Sequence, residues 1–352
     1  MVNIKERKFN HIQISLKHNV EAKSITDLLE HIYVIHNALP ELNMDEIDTS
    51  TTFLNYKFNA PILIDAITGG TQESLKINAT LSLAAEKLGL GMVVGSQKAA
   101  LKSPEVAETY SIVRKNAPNA FIATNIGASD LITNFTISDA EKLIDMIKAN
   151  AFVIHLNPLQ ELIQPEGVSR YKGVLVKIRE LTSQLKVPVI VKEVGAGISK
   201  EVAIKLELAG VSAINIAGAG GTSWAGVEQI RGEAEGNKVK SRLGLLYWDW
   251  GIPTAVSLIE VRKAVKIPII ASGGLRNGLD IAKCMVLGAD LCGMALPMLK
   301  YAVKSLDDLI EFIQNTILEL KVAMYLVGAG NLKALRNVRY VITSPLTEWL
   351  KS

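Results

Sequence analysis

From residue 61 onward, short apolar runs and longer amphipathic segments take turns along this chain. The runs are PILIDAITGG (61–70), LGMVVGS (90–96), AFIATNIGAS (120–129), AFVIHLNPLQE (151–161), VPVIVKEVG (187–195), VSAINIAGAGGT (211–222), IPIIASGG (267–274) and ADLCGMALP (289–297). They are continuous rather than alternating, the pattern of strands buried on both faces of a parallel sheet. The segments between them carry apolar stripes at helical spacing over 74–88, 104–115, 138–149, 170–185, 199–209, 255–265, 278–287 and 306–320. Ser103-Pro104 suits a helix start, and Gly89, Gly210 and Gly288 suit helix ends. Eight strand-then-helix units predict an α/β fold, a (β/α)8 TIM barrel over residues 61–352. A doubly wound open sheet is the alternative.

Two regions exceed the barrel. Residues 1–60 form an N-terminal extension, with helix expected in SITDLLEHIYVIHNALPEL (24–42). Residues 223–253 expand the connection after the sixth strand. That connection belongs to the rim where barrel active sites sit, and its Gly, Trp and charge content suits a lid.

Composition narrows the class. In 352 residues, 49% are hydrophobic and 21% charged, which is ample for a core and argues against disorder. The net charge of +3 gives no reason to expect nucleic acid or an acidic membrane as partner. No apolar stretch reaches the roughly 18 residues of a spanning helix. Cys284 and Cys292 fit neither a disulfide framework nor a zinc site. Lys5, Glu6, Arg7 and Lys8 precede any apolar run, unlike a signal peptide, so a cytoplasmic setting is expected.

Candidate chemistry gathers at the strand ends. SGGLRNGLDIAK (272–283) and the loop beginning at Ala295 match the phosphate site common to such barrels, with Asn277 and Gly278 opening a helix whose amides favour an anion. AGAGGT (217–222) offers Thr222 to a second phosphate oxygen, although glycines also suit plain tight turns. Two such loops on one face point to a phosphorylated cofactor, FMN being a good candidate. Thr68, Ser96, Asn125, His155, Asn157, Gln160, Glu161, Lys192 and Glu193 are polar residues at the ends of apolar strands. Lys192 is costly to bury without an anion or an electron-rich ring. It is not expected to pair with the Glu193 side chain, because neighbours on a strand face opposite ways. Glu161 is a hard oxygen ligand suited to Mg²⁺.

ITGGT (67–71), GSQ (95–97), NIGA (125–128), HLNPLQE (155–161), VKEVG (191–195), GGT (220–222) and ASGGLRNG (271–278), with Arg7, Lys8 and His11 in an RKxxH pattern and HNALPEL at 36–42, resemble the FMN-dependent, type 2 isopentenyl-diphosphate isomerases over almost the whole chain. The resemblance implies interconversion of isopentenyl and dimethylallyl diphosphates with reduced FMN, Mg²⁺ and NAD(P)H as reductant, in a homotetramer or homo-octamer. It implies FMN contacts from Ala66, Ile67, Thr68, Ser96, Asn125, Lys192 and Thr222. The flavin phosphate would lie between Gly273, Gly274, Leu275 and Arg276 on one side and Ala295 and Leu296 on the other. Arg7, Lys8, His11, His155, Asn157 and Gln160 would face substrate, His155 and Gln160 as catalytic candidates, and Glu161 would hold Mg²⁺. Ile67, Lys98 and Ala217 depart from residues frequent in that family, where Met, Arg and Ser are common. The rival readings are an FMN oxidoreductase of the 2-hydroxy-acid oxidase type and a phospholigand-binding barrel without chemistry.

Overall fold

Side chains on a strand point alternately to its two faces, and a closed barrel buries both. The computed structural model describes residues 4–167 and 170–351; residues 1–3 of the extension, and 168–169 and 352 of the barrel region, lie outside them. Its strands are β1 (Ile62–Ile64), β2 (Gly91–Val93), β3 in two pieces (Phe121–Ala123 and Ile126–Gly127), β4 (Phe152–His155), β5 (Val189–Lys192), β6 (Ala213–Asn215), β7 (Ile269–Ser272) and β8 (Leu291–Met294). All pair in parallel, β1 lying between β2 and β8. The first piece of β3 pairs with β2 and the second with β4, and a bridge between Ala123 and Ala151 closes the ring. The sheet is therefore the expected (β/α)8 barrel with its third strand broken.

Outward residues such as Ile62, Ile64, Ile214 and Ile269 join the helices in one large core. Inward residues form a second cluster with one member from each strand: Leu63, Val93, Ala123, Val153, Ile190, Ala213, Ile270 and Leu291. A hairpin (Thr51–Phe53 with Tyr56–Phe58) closes the floor of this interior. Phe53 and Phe58 meet Phe121, at the start of β3, with ring centroids 6.1 and 5.7 Å away. The extension thus reaches both ends of the barrel, because its first helix (Ile4–Lys17) packs at the mouth, on helices Trp224–Ala234 and Leu296–Ala302.

Two expectations need correction. Residues 24–42 are not a helix; they hold a 3₁₀ turn (Leu29–His31) and a strand (Ile32–Val34) that pairs antiparallel with Tyr340–Ile342. Leu28 is left-handed at φ 61°, which breaks any helix, and the β-branched run finds its partner at the far end of the chain. After Ser103, a 3₁₀ turn (Pro104–Val106) comes first and the α-helix starts at Glu108. The insertion at 223–253 is two packed helices, Trp224–Ala234 and Lys238–Leu246. No described helix is long and apolar enough to cross a membrane.

Phe58 is fully buried among the floor aromatics. Phe58→Ala is expected to lower unfolding stability by roughly 3–5 kcal/mol in urea titration. A loss below about 1 kcal/mol would show that the floor repacks without it.

Candidate active site

Two residues beyond each inward apolar residue, the barrel interior changes character. The next inward positions are Asp65, Gly95, Asn125, His155, Lys192, Asn215, Ser272 and Gly293, one per strand. Four polar members knit together: Asn215 Nδ2 donates to Asp65 Oδ2 at 2.9 Å, Ser272 Oγ donates to Asn215 Oδ1 at 2.6 Å, and Lys192 Nζ stands 3.6 Å from Asp65 Oδ2. Lys192 Nζ also donates to the Glu193 carbonyl at 2.8 Å. The Glu193 carboxylate turns away from Lys192 Nζ and accepts the N–H groups of Val194, Gly195 and Ala196 at 2.6–2.7 Å. Burial pushes Glu193 up to about 7 against those bonds. Across the ring, His155 Nδ1 lies 2.6 Å from Asn125 Oδ1. Burial, then the cations Lys192, Lys8, Lys98 and Arg7, hold His155 down at about 3, so the ring is neutral. With the Asn125 oxygen accepting, Nδ1 carries the proton and Nε2 keeps a lone pair.

The N-terminal helix brings three further groups to the same cavity. Lys8 Nζ donates to the Ser96 carbonyl at 2.6 Å and to Tyr110 Oη at 2.7 Å. Burial and neighbouring Arg7 lower the Lys8 ammonium to about 7. His11 Nε2 lies 2.8 Å from Glu228 Oε1, its ring edge-on to Trp224. Arg7 Nη1 stands 3.5 Å from Glu166 Oε1, while its Nε is buried without a partner. Beyond these carboxylates lies Arg231, bound to Glu166 and Glu228.

Pro158 at the first turn starts the short helix Pro158–Ile163 that follows β4. Asn157 Nδ2, just before it, donates to Gln160 Oε1 at 3.1 Å and to Glu161 Oε1 at 3.2 Å. Gln160 Nε2 in turn donates to Glu228 Oε1 at 3.3 Å. Tyr171 Oη donates to Asn157 Oδ1 at 3.0 Å and accepts its N–H. The amide orientations of Asn157 and Gln160 are thereby set by their neighbours.

The phosphate-type loops differ in part from expectation. Gly273 and Gly274 have φ of 99° and 87°, a turn that favours glycine. Among the described residues, the N–H groups of Gly274, Leu275 and Ala295 donate to no protein acceptor. The helix after Asn277, expected to offer its amides to an anion, already has one: Glu319 accepts the Gly278 N–H at 2.7 Å, and Asn277 caps Asp280 at 2.9 Å. Arg276 lines the cavity, but its guanidinium bonds Glu21 at 3.0 Å and the Leu275 carbonyl at 2.9 Å. Ala66, Ile67, Thr68, Ser96, Thr222 and Leu296 also line the cavity.

Sequence reading missed Asp65, Tyr110, Glu166, Asn215, Glu228, Arg231 and Ser272. Asp65, Asn215 and Ser272 carry a signal, since they share the inward parity of Lys192 and His155 on their strands. Glu228 and Arg231 carry none; three positions apart on a helix, they look like a solvated pair, yet both are buried.

A family profile described as FMN-dependent dehydrogenase matches residues 166–341. An isopentenyl-diphosphate delta-isomerase of Methanosarcina mazei is 48% identical over 345 residues, covering 98% of this chain and 94% of that protein. One of Pyrococcus furiosus is 49% identical over 353 residues, covering 98% and 88%. Among solved structures, a mandelate oxidase variant with a monooxide FMN adduct superposes with a TM-score of 0.63 at 16% identity, covering 94% of this chain and 95% of that one. At that identity the likeness concerns the fold alone.

His155 gives a pH prediction. Its folded pKa of about 3 lies below the ordinary 6.5, so between these values only the unfolded chain binds the proton. The stability it contributes is present above about pH 6.5 and is lost as pH falls, with a limiting slope of about 1.4 kcal/mol per pH unit. In FMN-free protein, His155→Gln is expected to remove that component from urea-unfolding free energies measured between about pH 6 and 4.5. Equal slopes in the two proteins would mean that folded His155 is charged.

Proposed function

The chain belongs to the isopentenyl-diphosphate delta-isomerase family of FMN-dependent barrels, and on that premise we propose that it interconverts isopentenyl and dimethylallyl diphosphates at the barrel mouth. The observation that carries this reading is that one cavity joins two donor sets. Lys192, Asn125 and the N–H groups of Gly274, Leu275 and Ala295 lie on the barrel side, and Arg7 and Lys8 come from the N-terminal helix. Two separate anionic ligands are what such a cavity suits.

The barrel-side set fits FMN: backbone N–H groups without protein acceptors suit a phosphate, and a buried ammonium suits an electron-rich ring edge. Reduced FMN supplies, when bound, an acid/base centre at N5 and, with NAD(P)H as reductant, no net redox change in the isomerisation. Lys192 Nζ, 3.6 Å from Asp65 Oδ2, would lie against the flavin's electron-rich ring edge and stabilise negative charge there.

Arg7 and Lys8 hold the substrate diphosphate, Arg7 with its unpartnered Nε. The negative charge of a bound diphosphate would shift His155 upward from about 3. Asn157 fixes Gln160 and Glu161 from one amide. An amide has no pKa near neutrality, so Gln160 orients the hydrocarbon and relays a proton rather than abstracting one. Glu228 accepts from Gln160 and His11. Burial raises Glu228, but His11 and Arg231 outweigh it and hold the carboxylate down at about 2. No group of three or more His, Cys, Asp or Glu able to hold a metal exists among the described residues. Glu161 would hold Mg²⁺ together with waters and the phosphate oxygens of the substrate. A cytoplasmic homotetramer or homo-octamer completes this reading.

Anaerobic enzyme with reduced FMN should exchange the two isomers without net NAD(P)H consumption. Stoichiometric oxidation of a 2-hydroxy acid instead would move the chain to the oxidase class. Glu161→Gln is expected to raise the Mg²⁺ concentration for half-maximal turnover about tenfold or more, because an amide is a weaker ligand than a carboxylate. An unchanged Mg²⁺ titration would take the metal away from Glu161. Gln160→Ala is expected to lower kcat more than it raises KM, and a change confined to KM would make it a binding group only.

A further inference from the structure

We propose that Arg231 is a positioning residue that docks the N-terminal helix over the cavity and orients Gln160, acting through the carboxylates of Glu166 and Glu228. Arg231 is 1% exposed, the bulkiest fully buried side chain described. Its guanidinium is used on both sides. Nη1 and Nη2 donate to the two oxygens of Glu166 at 2.9 and 2.7 Å, and Nε donates to Glu228 Oε2 at 2.8 Å. A third carboxylate, Glu235, lies 3.6 Å from Nη1.

Each of the first two carboxylates faces the N-terminal helix with its remaining capacity. Glu166 meets Arg7 at 3.5 Å, and Glu228 meets His11 at 2.8 Å. Arg7 and His11 are one helical turn apart, so the pair grips one face of that helix. Glu228 Oε1 also takes the Gln160 amide, so one guanidinium sets the position of three cavity groups that it does not touch. Planarity matters here, because the five donors of a guanidinium lie in one fork and can hold two carboxylates at fixed angles. A lysine ammonium in the same place is a point charge and cannot reproduce that geometry. The insertion after β6 therefore acts as an anchor for the first helix, in addition to walling the cavity.

The test uses FMN-loaded protein and two variants, Arg231→Met and Arg231→Lys. In Arg231→Met, amide exchange across residues 6–17 should accelerate about tenfold or more while barrel-strand amides keep their protection. Its kcat should fall at least tenfold, because Glu228 then no longer holds the Gln160 amide at a fixed angle. Arg231→Lys should recover part of the lost kcat and only part of the helix protection. Wild-type exchange over 6–17 in Arg231→Met, or acceleration spread equally over the barrel strands, would reduce Arg231 to a packing role and overturn the proposal. Should Arg231→Met not fold, Glu166→Gln weakens the bidentate arm and the Arg7 contact together, and unchanged exchange over 6–17 there overturns the proposal equally. The kinetic arm rests on the isomerase reading; a wild-type protein that fails to isomerise would sink that reading, while the exchange arm still decides the role of Arg231.

Discussion

Lys192 carries its ammonium inside a barrel whose lower interior is wholly apolar, and much of the site follows from that one buried charge. An isolated ammonium in such a place would shed its proton or pull the strands apart. Asp65 answers it from β1's end, Asn215 fixes the aspartate from β6, and Ser272 fixes the asparagine from β7. The compensation draws on four strands, so it exists only once the ring has closed. Above it, the same ammonium faces the cavity with capacity left for a ligand's electron density.

The opposite wall is built by a different principle. Barrel strands fix the floor and sides, but the cations Arg7, Lys8 and His11 arrive on a helix from the start of the chain. The helix buries Ile12 and Ile14 in the main core, and polar contacts fix its cations over the cavity. Three partners receive it: the Ser96 carbonyl with Tyr110, Glu166, and Glu228. Attachment of this wall through side chains, and of the other through the sheet, suits a site that must admit a ligand from above and hold a cofactor below.

Much of this was legible beforehand. Continuous apolar runs bounded by turn residues gave the strands, because a parallel barrel buries both faces of each and leaves no alternation to misread. Lys192, His155 and Asn125 stood out because polar residues inside such runs are costly. Residues 24–42 misled, since a leucine-containing amphipathic stretch reads as helix until a distant strand at Tyr340–Ile342 offers it backbone partners. The helix after Asn277 misled in another way, because nothing local indicates that Glu319, 41 positions from Gly278, supplies the anion its amides favour.

The sequence by itself determined the barrel, its eight-fold rhythm, the rim that bears the chemistry and the ordered motifs of the family, because these depend on local periodicity and on residue types at fixed spacing. Only the tertiary structure decided which polar groups face one another. Asp65 meets Lys192 across 127 positions of chain, and Glu228 meets His11 across 217. Glu228 and Arg231 read as a surface pair until the insertion folds against Glu166 and the first helix, where burial turns them into the fastening between both walls. Electrostatic partnership depends on distance through space and on exclusion of water, and neither is written in the spacing of residues along a chain.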